Sequence, residues 1–160
     1  MSPTAPPDRL VFPLPDAAAT EALGRWLADR LGPGDVLLLE GPIGAGKTHL
    51  ARALIQHRLD AAGRMEDVPS PTFTLVQVYD NASGEIWHAD LYRLSHPAEV
   101  AELGLDEAFG TALCLVEWPD RLGKLTPAHA LHLTLADDGA GRIATLRGPS
   151  DRLARLGPMP

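Results

Sequence analysis

The sequence predicts an α/β protein, a three-layer sandwich around a mixed sheet whose parallel core is extended by antiparallel hairpins. Three observations predict it. Asp35-Val-Leu-Leu-Leu-Glu40 and Leu113-Cys-Leu-Val-Glu117 are continuous apolar runs of strand length, the pattern of strands covered on both faces. Turn-rich Asn81-Ala-Ser-Gly84 and Asp137-Asp-Gly-Ala-Gly141 each lie between two strand-like segments, as hairpin turns do. Gly41-Pro-Ile-Gly-Ala-Gly-Lys-Thr48 joins the first apolar run directly to a helical segment. A strand, a glycine turn and a helix are therefore expected in succession.

The elements follow in order. With 160 residues the chain is long enough for one well-buried core and too short for two ordinary domains. A single domain is expected over 9–148, with flexible tails at 1–8 and 149–160. Arg9 to Leu14 reads as an edge strand, because Pro13 has no N–H for a central ladder. Asp16 suits an N-cap for a helix carrying Leu23, Trp26, Leu27 and Leu31 on one face, ended by Gly32-Pro-Gly34. The strand 35–40, the glycine loop and a helix from Thr48 to Leu59 come next. Phe73 to Tyr79 and Glu85 to Asp90 flank a loop of about four to five residues. Pro97 to Phe109 reads as a helix with Gly104 as a break point in its middle. After the strand at 113–117, His129 to Ala136 and Arg142 to Gly148 form a second hairpin, and the last residues, bearing Pro and Arg, are expected to fray.

Charge and composition narrow the function classes. Fourteen Lys and Arg against 21 Asp and Glu leave a net charge of -7. Such a chain has little attraction for a polyanion, so contact with nucleic acid is expected through a protein partner. Cys114 stands alone in the apolar run Leu113–Val116, which excludes an intrachain disulfide and marks it as a small buried hydrophobe. A reducing cytoplasm fits that usage. No apolar stretch approaches the roughly 18 residues of a membrane span, and Met1-Ser-Pro-Thr-Ala-Pro-Pro-Asp8 lacks a basic region followed by an apolar one. The expectation is a soluble, cytoplasmic protein with no membrane partner.

The chemistry concentrates in the glycine loop. Gly41, Gly44, Gly46, Lys47 and Thr48 satisfy G-x-x-x-x-G-K-[ST]. Glycines permit positive φ and close approach, so the N–H groups of the loop, Ala45 included, can converge on a β-phosphate. Lys47 is placed to bridge β- and γ-phosphate oxygens, and Thr48 to offer a hydroxyl to Mg²⁺ at a helix N-terminus. The chain has twelve Arg and only two Lys, Lys47 and Lys124. Its habit of using Arg is thus broken where a point charge on a flexible stem is needed rather than a planar fork.

Two acids end strands where a sheet presents side chains to such a site. Glu117 closes its apolar run and is assigned to metal or water contact; Asp90 is assigned to the magnesium surroundings as a second acid. His88 shares a strand face with Asp90, but two ligands do not make a zinc site, so His88 is read as structural. Val68-Pro-Ser-Pro-Thr-Phe-Thr74 reads either as a nucleotide-sensing switch, with Ser70 and Thr72 meeting the γ-phosphate or its Mg²⁺, or as a plain Pro-rich connection.

Together these motifs resemble the TsaE (YjeE) family, small P-loop ATPases of bacterial tRNA threonylcarbamoyladenosine biosynthesis. The resemblance covers residues 10 to 148. It rests on Pro13 to Thr20, Gly41 to Thr48, Ser70-Pro-Thr-Phe-Thr-Leu-Val76, His88-Ala-Asp-Leu-Tyr-Arg93, Glu102-Leu-Gly-Leu105 and Leu115-Val-Glu-Trp-Pro119. The loop alone is shared by many unrelated proteins; the ordered set with Asp-Leu-Tyr-Arg and Val-Glu-Trp-Pro is far more specific.

The resemblance implies a P-loop NTPase-like fold, with ATP and Mg²⁺ as ligands. It makes Lys47 the phosphate lysine, Thr48 a magnesium ligand and Glu117 a metal-site acid with Asp90 nearby. It places Ser70 to Thr72 in a nucleotide-sensing switch, Trp118 beside the site and Thr20 near the base. It further implies a partner complex of TsaB and TsaD that transfers threonylcarbamoyl to adenosine 37 of ANN-decoding tRNAs, with tRNA met only through that complex. Two departures stand out: Pro42-Ile43 replaces the family's usual Asp-Leu, and His49 replaces a Thr or Ser. Rival readings are a small-molecule kinase, with Asp90 and Arg93 binding the acceptor, and a nucleotide-gated interaction module indifferent to loss of Glu117.

Overall fold

The computed structural model describes residues 8–64, 66–71, 74–81 and 83–157. The strands are β1 (Arg9–Leu14), β2 (Val36–Glu40), β3 (Val76–Asn81), β4 (Gly84–Asp90), β5 (Leu113–Glu117), β6 (Leu131–Asp138) and β7 (Gly141–Arg147). The helices are α1 (Ala17–Ala28), α2 (Lys47–Ala61), α3 (Ala98–Glu102), α4 (Leu105–Ala108) and α5 (Ser150–Arg155). All seven strands form one sheet in the order β1-β7-β6-β2-β5-β4-β3. β2 pairs in parallel with β5 and β6, and β4 in parallel with β5; β1–β7, β6–β7 and β3–β4 are antiparallel. The expected mixed sheet, parallel at its centre, is the one observed.

Side-chain alternation along the central strands builds two cores. Leu37, Leu39, Leu113 and Leu115 point to the face covered by α1 and α2, where they meet Leu27, Leu50 and Leu54. Val36, Leu38, Cys114 and Val116 point the other way, to Val100, Leu105 and Phe109 of the α3–α4 layer. This is the three-layer arrangement, and it explains why β2 and β5 have no polar residue before their last position. Each fully buried leucine contributes about 1.5 to 3 kcal/mol by leaving water. Asp16 caps α1 as expected, accepting from the N–H of Ala19 at 2.9 Å. Pro13 sits on β1, at the edge of the sheet.

Several boundaries differ from expectation. The flexible tail expected from 149 is instead helix α5. Leu153 and Leu156 are buried in the first core, and Arg152 and Arg155 reach Asp35 at 2.6 and 3.4 Å. Both hairpins turn more tightly than their turn-rich residues indicate, with Asn81 paired to Gly84 and Asp138 to Gly141. The strand expected from Phe73 begins at Val76, and Phe73 itself lies outside the described residues. The helix expected over 97–109 does divide at the break point the sequence offered, Gly104, whose φ of 80° is the left-handed value that separates α3 from α4. A 3₁₀ segment at Pro119–Leu125, burying Leu122, had no counterpart in the sequence reading.

Candidate phosphate-loop site

The site forms where β2, β4 and β5 end, at the carboxyl edge of the parallel core, where an open α/β sheet leaves a crevice for ligands. The loop after β2 turns through Gly41, Gly44 and Gly46 with φ of 150°, 81° and 105°, and Gly46 leads straight into α2. At Gly41 a Cβ would stand 2.6 Å from the carbonyl oxygen of Leu135, so glycine is required by space as well as by φ. Gly44 meets no atom within 4 Å of a notional Cβ, so there it is the backbone angle that selects glycine. Ala45 is buried and donates its N–H to Pro42 O at 3.1 Å.

Lys47, 5% exposed, folds back over this loop. Its Nζ donates to the carbonyl oxygens of Gly41 and Pro42 and lies 3.9 Å above the ring of Trp118. Burial pushes its pKa below the ordinary lysine value of 10.5, and the charges of Glu117 and Asp90 pull in the opposite direction. Thr48 donates its hydroxyl to Glu117 Oε1 at 2.7 Å. That bond uses the only proton on the hydroxyl and leaves its lone pairs available to the cleft. The other carboxylate oxygen of Glu117 is 2.7 Å from His88 Nε2.

Asp90 stands opposite Glu117 in the parallel register of β4 and β5, and its Oδ1 accepts from the N–H of Tyr92 at 3.0 Å. Thr48, Glu117, Asp90, Lys47, Ser70 and Trp118 line one cleft of about 300 Å³. Thr20 is buried beside the loop and lines a neighbouring cleft of about 320 Å³ with Gly44, Ala45, Gly46 and Arg142. His49 borders both clefts. Thr72 lies outside the described residues.

Among the described residues two non-glycine residues adopt left-handed backbone, and both adjoin the acids. Trp118, with φ of 59°, follows Glu117 directly and packs on Tyr92 at a ring separation of 5.0 Å. Leu75, with φ of 67°, takes its N–H to Pro71 O and accepts the N–H of Asp90 at 2.9 Å. The Ser70 loop is thereby tied to one acid of the site. Backbone strain of this kind costs on the order of 1 to 3 kcal/mol and gathers where function over-determines the conformation.

The residues singled out in the sequence, Lys47, Thr48, Ser70, Asp90, Glu117 and Trp118, meet in one cleft, and His88, read as structural, contacts Glu117 behind it. The shared strand face with Asp90 was visible in the sequence; the contact with Glu117 was not, because it depends on the pairing of β4 with β5. The departures from the family loop leave the cradle in place. Pro42 supplies a carbonyl to Lys47, and Ile43, 76% exposed, points away from the core.

Glycine cradle, buried lysine and carboxylates at the strand ends define a P-loop α/β protein. The family model described as "Threonylcarbamoyl adenosine biosynthesis protein TsaE" matches residues 14–144. A tRNA threonylcarbamoyladenosine biosynthesis protein TsaE of Rickettsia felis is 40% identical over 134 residues, 82% of this chain and 77% of the relative. Its counterpart in Bacillus subtilis is 36% identical over 121 residues, 75% and 73% of the two chains. The crystal structure of Bacillus subtilis YdiB superposes with a TM-score of 0.74 at 29% identity, over 92% of this chain and 90% of that one. The chain belongs to the TsaE family of tRNA threonylcarbamoyladenosine biosynthesis proteins.

Proposed function

We propose that this protein binds ATP with Mg²⁺ and hydrolyses it in the cytoplasm, in the service of threonylcarbamoylation of adenosine 37 in ANN-decoding tRNAs. It acts on a partner complex of TsaB and TsaD and meets tRNA only through that complex. The observation that carries the reading is the convergence of Lys47, Thr48, Glu117 and Asp90 on one cleft at the mouth of the glycine loop.

The residues present suit both ligands. The loop's positive-φ glycines and the start of α2 favour an anion. A threonine hydroxyl and two carboxylates are the hard oxygen donors that magnesium prefers. Among the described residues no group of three or more His, Cys, Asp and Glu is placed to hold a metal. A cation here would draw on Thr48, on Asp90 or Glu117, and on the nucleotide's own oxygens, and when bound it would neutralise charge on the phosphates.

In-line attack of water on the γ-phosphate builds charge on its equatorial oxygens. Lys47, released from the carbonyls of Gly41 and Pro42, meets that charge. Glu117 holds the Thr48 proton away from the cleft, while Asp90, on the neighbouring strand, would help to hold a cation or water bound there. Among the described residues no arginine lines the phosphate cleft. An arginine finger contributes about 10³ to 10⁵ in rate in comparable reactions, so turnover is slow alone and rises when a partner docks. The acidic balance of -7 accords with a subunit that leaves tRNA phosphates to others.

The test is made in cells depleted of this protein. Complementation with the wild-type chain restores threonylcarbamoyladenosine in bulk tRNA, and Glu117→Ala or Lys47→Ala does not. Restoration by both variants would refute a role for nucleotide hydrolysis.

A further inference from the structure

His88 is fully buried on β4, between Ile86 and Asp90 along the same strand face and opposite Leu115 of β5. Packing alone does not account for it. Its neighbours on that face include Ile86 and Leu115, both fully buried, and an aliphatic side chain would fill the same space without polar atoms. Its Nδ1 has no hydrogen-bond partner among the described residues. A buried polar atom left so is unfavourable, so the ring must serve another contact.

What the imidazole provides is the contact from Nε2 to Glu117 Oε2 at 2.7 Å. With its proton on Nε2, the ring donates that hydrogen bond, and the unpartnered Nδ1 is a bare lone pair rather than a stranded N–H; this tautomer is assigned from the hydrogen-bond network. Glu117 is 2% exposed, so both its oxygens depend on protein donors: Thr48 on Oε1 and His88 on Oε2. Remove the donor on Oε2 and the carboxylate is free to turn, taking the acceptor for the Thr48 hydroxyl with it.

We propose that His88 is a positioning residue for nucleotide hydrolysis: its Nε2–H locks Glu117 in the rotamer that accepts the Thr48 proton, so that the threonine lone pairs face the magnesium position. The proposal rests on the ATP-hydrolysing reading above. His88 touches neither nucleotide nor metal and acts wholly through Glu117.

Three variants separate the donor from the bulk. In His88→Gln the side-chain amide reaches the position of Nε2 and keeps a donor there. In His88→Asn the amide reaches only the position of Nδ1, and His88→Leu keeps volume without a donor. For each, nucleotide affinity is measured at equilibrium with a fluorescent ATP analogue, first in EDTA and then across a magnesium titration, and steady-state hydrolysis gives kcat and KM. The expected result is near wild-type affinity in EDTA for all three. Magnesium-dependent tightening and kcat fall about 10- to 100-fold in Asn and Leu, with KM little changed, and are largely rescued in Gln.

Equal magnesium dependence and kcat in wild type, Asn and Gln overturns the proposal, and that comparison holds even if the Leu variant does not fold. A Gln variant as defective as Asn, both folded, also overturns it. Failure of the parent reading looks different: the wild-type chain itself then shows no magnesium-dependent ATP binding.

Discussion

Thr48 and Glu117, 69 positions apart in the chain, share a hydrogen bond of 2.7 Å between the threonine hydroxyl and Oε1 of the carboxylate. It joins the end of the glycine loop to the end of β5 and turns two separate motifs into one site. Glu117→Ala removes the acceptor and also leaves His88 Nε2 unpartnered. Hydrolysis is expected to fall by about 10²-fold or more, on the scale of losing one preorganised polar group. Stability falls by about 1 to 3 kcal/mol from the stranded polar atoms. Single-turnover phosphate release and urea unfolding measure the two effects, and unchanged hydrolysis would favour a nucleotide-gated interaction module.

Trp118 reports on Lys47. The ammonium lies 3.9 Å over the indole, and a phosphate that attracts the lysine withdraws it from the ring. Adding ATP is expected to change tryptophan emission, and the change is expected to vanish in Trp118→Phe, which leaves Trp26 and Trp87 in place. An undiminished change in that variant would locate the signal elsewhere.

Cys114 sets a pH dependence. Burial pushes its thiol from 9.0 up to about 12. The folded state therefore holds this proton over an interval in which the unfolded chain releases it. Stability from this group is fully present below 9.0 and is lost as pH rises towards about 12. In Cys114→Ala that part of the alkaline decline disappears. The native thiol is also expected to resist alkylation until the chain unfolds, which mass spectrometry with a thiol reagent checks.

Helix α5 carries stability that a fraying tail would not. Leu153 is 1% exposed, and Leu153→Ala is expected to cost about 2 to 5 kcal/mol in urea unfolding. A change below a few tenths would mean that the helix does not pack in solution.

Those examples show what the sequence makes legible. The glycine loop, Lys47, Thr48 and the two strand-end acids were legible because their demands are local: positive φ, a point charge, a carboxylate after an apolar run. The strands β2 and β5 were legible for the same reason, since burial on both faces leaves a continuous apolar mark. Helix α5 and the 3₁₀ segment were not, because they form around Leu153, Leu156 and Leu122, whose burial depends on what the remainder of the fold presents. The role of His88 rests on the β4–β5 register and on one rotamer of Glu117, neither of which a linear pattern records. Both hairpin turns were placed correctly and drawn too long, since Asn81 and Asp138 belong to strands despite their turn-forming character.

The central claim is that nucleotide hydrolysis at Lys47, Thr48 and Glu117 is coupled to a partner complex. The most direct measurement is phosphate release from ATP by the purified chain, alone and then with TsaB and TsaD from the same cell. Slow release alone, strong stimulation by the partners and loss of both in Lys47→Ala is the predicted result. Equal rates with and without partners, or stimulation that survives Lys47→Ala, would contradict it.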